Sequence, residues 1–132
     1  MKKSPESKSI PELKKDLWKV FSRYIRERDG YICITCGKDL SVDKVSCDAG
    51  HFIPKTRGNS IYFCEENVNA QCSSCNRYQH GKLYEYAVRL EQKYGEGILQ
   101  RLEEKMRQTK RFTRQELIEL AETYKNKLKE MA

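Results

Sequence analysis

The sequence predicts an α+β fold: a zinc-stapled core of a small hairpin and a helix, preceded by an N-terminal helix and followed by a C-terminal helical extension. Three observations carry this expectation. Two Cys-x2-Cys pairs, Cys33/Cys36 and Cys72/Cys75, bracket an intervening segment of 35 residues. That segment contains short strand-like runs divided by turn residues. On both sides of it, apolar residues recur three and four apart, the period of helices packed by one face.

Taken in order, residues 1–8 are lysine, serine and proline with little apolar content and read as a flexible arm, leaving 9–132 as one domain. Ser9 with Glu12 forms a capping-box pattern. Leu13, Leu17, Val20, Phe21, Tyr24 and Ile25 then form a helical stripe, so the N-terminal helix occupies 9–30 and stops at Asp29-Gly30. Trp18 widens that stripe as a packing residue. The core and its helix are expected over 31–94. Gly37 lets the first cysteine pair turn tightly. A strand is expected around 46–54, where Gly50 signals a bulge or a close backbone approach. Residues 54–60 read as an exposed loop, and Ile61-Tyr62-Phe63 as the second strand of the hairpin.

A helix from Cys75 or Asn76 to near Tyr94 would bury Leu83, Tyr86, Ala87 and Leu90, with Gly81 weakening its early part. Gly95 and Gly97 break the pattern. The helical extension over 95–132 carries Ile98, Leu99, Leu102 and Met106. A second capping box at Thr113 and Glu116 then opens a last amphipathic helix.

Composition excludes several classes. No apolar run approaches the roughly 20 residues that span a bilayer, and the lysine-rich start lacks the apolar stretch of a signal peptide. Cytoplasmic residence without a membrane partner is the expectation. The spacing within the cysteine pairs favours metal thiolates over disulfides. Cys47 and Cys64 stand outside the pairs and read as small buried hydrophobes. The net charge of +7 is uneven. Residues 1–30 hold nine Lys/Arg against five Asp/Glu, residues 76–132 thirteen against nine, and residues 31–75 four against five. Basic flanks around a near-neutral centre suit a nucleic-acid backbone held on either side of a site that supplies its own cation.

Cys33, Cys36, Cys72 and Cys75 form a closed all-thiolate set, which suits a structural zinc and leaves no open position for catalysis. Asn76 and His80, four apart, would share one helix face. Together with Asp48 and His51 on the hairpin they form a cluster suited to a divalent ion, Mg²⁺ or Mn²⁺, beside a phosphate. His51 has the pKa range of a general base for water. Asn67 would orient it by accepting from its far nitrogen. Lys55, Arg57, Arg77, Tyr78 and Lys82 are candidate phosphate contacts. From the residues alone, three readings stay open: a phosphodiester hydrolase, a non-catalytic zinc-dependent DNA-binding module, and a protein-interaction module using the last helix.

The same residues resemble the HNH, or ββα-metal, nucleases, in their zinc-stabilised branch. A histidine sits on a hairpin, an asparagine in the connecting segment and a metal ligand at the opening of the helix. More narrowly, Asp48-Ala49-Gly50-His51, the second cysteine pair followed by Asn76, and the helical tail with Phe112-Thr113 resemble the NinG/Rap recombination endonucleases of lambda-like phages. The resemblance implies a DNA endonuclease selective for branched recombination intermediates such as Holliday junctions, acting in the host cytoplasm. It implies His51 as general base, Asn67 as the asparagine that orients it, and Asn76 and His80 as metal ligands. A homodimer would supply two centres for symmetric cutting, and a monomer stays open. The alternative is a non-catalytic recombination accessory protein. One departure stands out: many such enzymes place a metal ligand immediately before the catalytic histidine, where this chain has Gly50. Asp48 is the expected substitute, since 48 and 50 share strand parity and a bulge would turn the carboxylate inward.

Overall fold

The computed structural model describes residues 3–132; Met1 and Lys2, the start of the expected arm, lie outside the described residues. In chain order the elements are α1 (Ile10–Arg28), β1 (Cys47–His51), α2 (Asn59–Tyr62), β2 (Val68–Cys72), α3 (Leu83–Tyr94), α4 (Ile98–Met106) and α5 (Arg114–Met131). The chain forms two compact units, one drawn from residues up to Tyr24 together with 111–132, the other from residues 25–110. No helix among the described residues is long and apolar enough to cross a membrane.

In the first unit both expected capping boxes form. The Glu12 N–H donates to Ser9 Oγ at 3.3 Å while the Ser9 N–H donates to Glu12 Oε1 at 3.1 Å. Thr113 and Glu116 repeat the exchange at the start of α5, at 3.1 Å in both directions. Each box satisfies helix-end donors that have no intrahelical partner. Leu13, Leu17 and Phe21 of α1 and Leu117 and Tyr124 of α5 are buried. The Phe21 and Tyr124 rings meet edge-on with centroids 4.9 Å apart, a favoured aromatic geometry.

The second unit is built on an antiparallel pair, with β1 and β2 in unbroken register from Cys47 opposite Cys72 to His51 opposite Val68. This corrects two expectations. Ile61-Tyr62 lie in the short helix α2, and the second strand is Val68–Cys72. Gly50 marks no bulge; a close approach of side chains requires it instead. All five residues of β2 are buried. The polar Asn69 and Gln71 find hydrogen bonds inside the protein, which is why a buried strand reads as polar in the sequence.

The expected helix over 75–94 is also broken. A π-helical turn covers Ser74–Tyr78 and a 3-10 turn His80–Lys82, and regular α-helix begins only at Leu83. The cause is left-handed backbone at His80, Gly81 and Lys82, with φ of 52°, 78° and 47°. Two apolar clusters complete the unit. Tyr31, Leu40, Cys47 and Ala70 pack around the paired cysteines. Cys64, Tyr86, Leu90, Ile98 and Leu102 join α3 to α4. Cys47 and Cys64 are buried, as expected, and burial pushes the Cys47 thiol up to about 11.

A polar network holds β2 against the end of α1 and against α3. Asp29 accepts from the Ala70 N–H at 2.8 Å and from Lys93 Nζ at 2.9 Å, and pairs with Arg28 through both oxygens. Arg28 also donates to the carbonyls of Glu65 and Val68. Asn69 Oδ1 accepts from Arg28 and Lys93, and its Nδ2 donates to the Tyr86 hydroxyl. Tyr86 in turn donates to the Gly50 carbonyl. Burial works against the Asp29 carboxylate, but Arg28, the Ala70 N–H and Lys93 outweigh it and hold its pKa below the ordinary value.

Asp29→Ala strands two cations and a strand N–H, so it should destabilise the protein by about 2–4 kcal/mol in urea denaturation. Because the folded carboxylate is the more acidic one, its contribution is complete above the unfolded value of about 3.9 and is lost as pH falls through the folded pKa. An Asp29→Ala protein that loses less than about 0.5 kcal/mol, the usual size of an exposed surface change, would contradict this role.

Candidate zinc centre and the histidine face

The four paired cysteines converge. Their sulfurs all lie within 4.8 Å of one another, and Cys36 Sγ is 3.8 Å from Cys72 Sγ. A tetrahedral zinc with Zn–S distances of about 2.3 Å sets its sulfurs about 3.8 Å apart, so the cage fits the ion. Two knuckles build it. The Cys33 N–H donates to the Lys38 carbonyl and the Gly37 N–H returns to the Cys33 carbonyl, closed by Gly37 at φ 78°. The second pair straddles the end of β2, where the Cys75 N–H donates to Cys72 Sγ at 3.4 Å. Burial raises the Cys33 thiol, but the Thr35 hydroxyl and backbone N–H groups around it bring it down to about 6. Burial and the neighbouring thiols push Cys75 up to about 12. Four sulfurs this close resist carrying four negative charges by themselves, and a dication removes that penalty.

His51 ends β1 opposite Val68. Its Nε2 lies 2.9 Å from the Tyr62 carbonyl oxygen. A carbonyl can only accept, so Nε2 carries the hydrogen and Nδ1 of the neutral ring keeps the lone pair. The Tyr62 ring meets the imidazole edge-on at 5.5 Å. Burial, aided by the charge of Lys55, holds the His51 pKa below its ordinary value against the opposing Tyr62 hydrogen bond.

The hydrogen bonds of the Asn67 side chain run to backbone, whereas one to the ring is the expectation from sequence. Its Oδ1 accepts from the Ile53 N–H at 2.9 Å, and its Nδ2 donates to the carbonyls of Ile53 and Ile61 at 3.0 and 3.2 Å. The fully buried amide therefore pins the backbone just after His51 and just before Tyr62.

Asp48 and Asn76 come together as expected, without a bulge. Asn76 Nδ2 donates to Asp48 Oδ2 at 3.0 Å. Arg77 grips the same carboxylate at 2.9 and 3.0 Å. Gly50 lies beside them: a Cβ there would stand 3.1 Å from Asn76 Oδ1 and 2.2 Å from Gln71 Oε1. The Asp48 carboxylate and the Asn76 amide oxygen are donors of the kind that Mg²⁺ and Mn²⁺ take. His80 is exposed, and the left-handed backbone at 80–82 removes the helical relation that would have set it beside Asn76. Lys55 and Arg57 are exposed on a 3-10 turn, and Lys82 is half-buried. Arg57 also borders a cavity of about 460 Å³ with Phe52, Ile53, Leu83, Tyr84 and Met106.

Sequence reasoning missed the amides of β2. Asn67, Asn69 and Gln71 alternate with Val68 and Ala70, a period of two that marks a strand. That period is present in the sequence, although the second strand is expected at Ile61-Tyr62-Phe63.

Over residues 1–132 the chain matches the family model described as Bacteriophage Lambda NinG protein. It is 31% identical over 109 residues to Protein ninG of Salmonella phage P22, an alignment covering 82% of this chain and 52% of that protein. Protein ninG of Escherichia phage lambda gives the same identity and the same coverage of both chains. Protein ninG of Enterobacteria phage H19B is 32% identical over 81 residues, covering 61% of this chain and 39% of that protein. The chain spans about half the length of most of the curated relatives it matches. No solved structure matches it.

Cys75→Ser should lower bound zinc, measured by atomic absorption, and thermal stability together. Cys47→Ser, outside the cage, should leave zinc at one ion per chain. Full zinc occupancy in Cys75→Ser would rule out the four-thiolate tether.

Proposed function

The chain belongs to the NinG family of bacteriophage proteins, and from that premise we propose that it is a metal-dependent endonuclease. It hydrolyses DNA phosphodiester bonds, preferring branched recombination intermediates. The likeness to HNH nucleases in Asp48–His51, Asn67 and Asn76 supports the reaction class. The observation that carries the reading is the His51 ring: burial favours its neutral form, and the Tyr62 carbonyl takes the hydrogen on Nε2.

In this reading His51 Nδ1 accepts the proton of the attacking water. Asn67 is a positioning residue, since its three hydrogen bonds fix the two stretches of backbone between which the imidazole is set. Asp48 and Asn76 would hold the divalent ion, which supplies charge relief for the crowded phosphate and the departing 3′ oxygen. Arg77 pairs with Asp48 and stands at the site's exposed edge, where its guanidinium can also meet a phosphate oxygen. Lys55, close enough to His51 to act on its charge, adds positive potential there, and Arg57 and Lys82 are further candidate phosphate contacts. The zinc cage ties the start of the unit to the end of β2, so the two strands keep their register under the load of bound DNA. With no base-reading motif in the sequence, recognition rests on backbone and shape.

One observation favours a second reading, a non-catalytic zinc-dependent DNA-binding accessory protein. Both oxygens of Asp48 are already taken by Arg77 and Asn76.

The two readings separate in a cleavage assay on linear, flapped and four-way-junction DNA with Mg²⁺ or EDTA. The nuclease reading expects junction cutting that EDTA abolishes. It expects His51→Ala to lose about 10²–10⁴-fold in rate while keeping its zinc and its DNA affinity. Cutting at the unmodified rate by His51→Ala rejects the assignment, and no cutting by the unmodified protein leaves the accessory role. The pH profile adds a further check. The active form is the unprotonated ring, so the rate should hold down to the depressed His51 pKa and fall below it, with an acid limb under the ordinary value of about 6.5. A limb centred well above that value would point to a different base.

A further inference from the structure

We infer that the side-chain oxygen of Gln71 is a ligand for a divalent cation, filling the place that residue 50 leaves empty. Gln71 lies on β2 and is fully buried. Its Nε2 donates to the Gly81 carbonyl at 2.8 Å and approaches Thr35 Oγ1 at 3.2 Å. A carbonyl partner demands a donor, so the amide's orientation is set and Oε1 faces the other way. That oxygen is buried and has no hydrogen-bond partner. Leaving such an acceptor unsatisfied costs about 1–3 kcal/mol, and an ion or an ordered water is what ordinarily removes the cost.

The direction in which it points is the informative part. Oε1 stands 2.2 Å from the point where a Cβ on residue 50 would sit, about as far as an aspartate's own carboxylate oxygen would reach from there. Asn76 Oδ1 is 3.1 Å from the same point, because Asn76 turns its Nδ2 toward Asp48. Two amide oxygens thus meet over one glycine, and the Asn76 amide links them to the Asp48 carboxylate. Hard oxygen donors of this kind select Mg²⁺ or Mn²⁺ over zinc. Gly50 is then required because it gives Gln71 room. The ligand missing from β1 is delivered from β2, from the residue paired with Asp48. The inference rests on the nuclease reading only for the use of the ion, and its test does not involve cleavage.

The zinc-loaded, ¹⁵N-labelled chain is titrated with Mn²⁺ and followed through its side-chain amide signals. Gln71 and Asn76 should broaden together and saturate at one equivalent, while Gln100 on α4 stays sharp. By electron paramagnetic resonance, Gln71→Leu should weaken Mn²⁺ binding roughly tenfold or more with zinc content unchanged. Gly50→Ala, whose methyl displaces Oε1, should do the same. A Gln71 signal that stays sharp at saturating Mn²⁺ overturns the assignment and leaves a buried water as its partner. Unchanged affinity in a folded Gln71→Leu does so as well. If Gln71→Leu fails to fold, the spectrum of the unmodified protein decides. An unmodified protein that binds Mn²⁺ through Gln71 yet cuts no DNA would reject the nuclease reading and leave this site standing.

Discussion

Burying an amide obliges the fold to find partners for it, and three amides on or next to a single strand organise this protein. Asn67, Asn69 and Gln71 are fully buried. Asn67 binds the backbone on both sides of the loop that carries the Tyr62 carbonyl. Asn69 gathers Arg28, Lys93 and Tyr86, and through Tyr86 reaches the Gly50 carbonyl. Gln71 ties the strand to Thr35 and to the left-handed turn at Gly81. Hydrogen bonds in so buried a setting are strong when made and costly when missing, so these contacts fix positions more sharply than apolar packing would.

The zinc cage and the amides act at different places. The cage closes the two ends of a 35-residue segment, a constraint on chain entropy and on the end of β2. The amides set the interior of that segment, where a histidine needs one defined tautomer and a carboxylate needs a neighbour. His51 and Asp48 arise from the same strand, three residues apart, yet each is held by a different element. Function in this reading comes from a rigid frame with polar groups placed at its edge.

Much of this frame was legible beforehand because its signals are local. Capping boxes at Ser9 and Thr113 depend on side chains three residues apart, and both form. The Cys-x2-Cys pairs announce their convergence by spacing alone, and the sulfurs do converge. What escaped depends on partners far along the chain. Val68–Cys72 was not expected as a strand because its polar residues are amides, whose partners at Arg28, Thr35, Tyr86 and Lys93 have no mark in the local pattern. The helix expected from Asn76 failed at Gly81, where the chain turns left-handed so that a carbonyl can meet Gln71. Asn67 was expected to bond the imidazole, and its side chain instead bonds the backbone of Ile53 and Ile61, distant partners that no local pattern announces.

The account turns on a neutral imidazole whose basic nitrogen is Nδ1. Long-range ¹H–¹⁵N correlation spectra of the zinc-loaded protein report this directly from the two ring nitrogens of His51. At neutral pH the account requires a protonated Nε2 and an unprotonated Nδ1. An imidazolium, or a ring carrying its hydrogen on Nδ1, would contradict it.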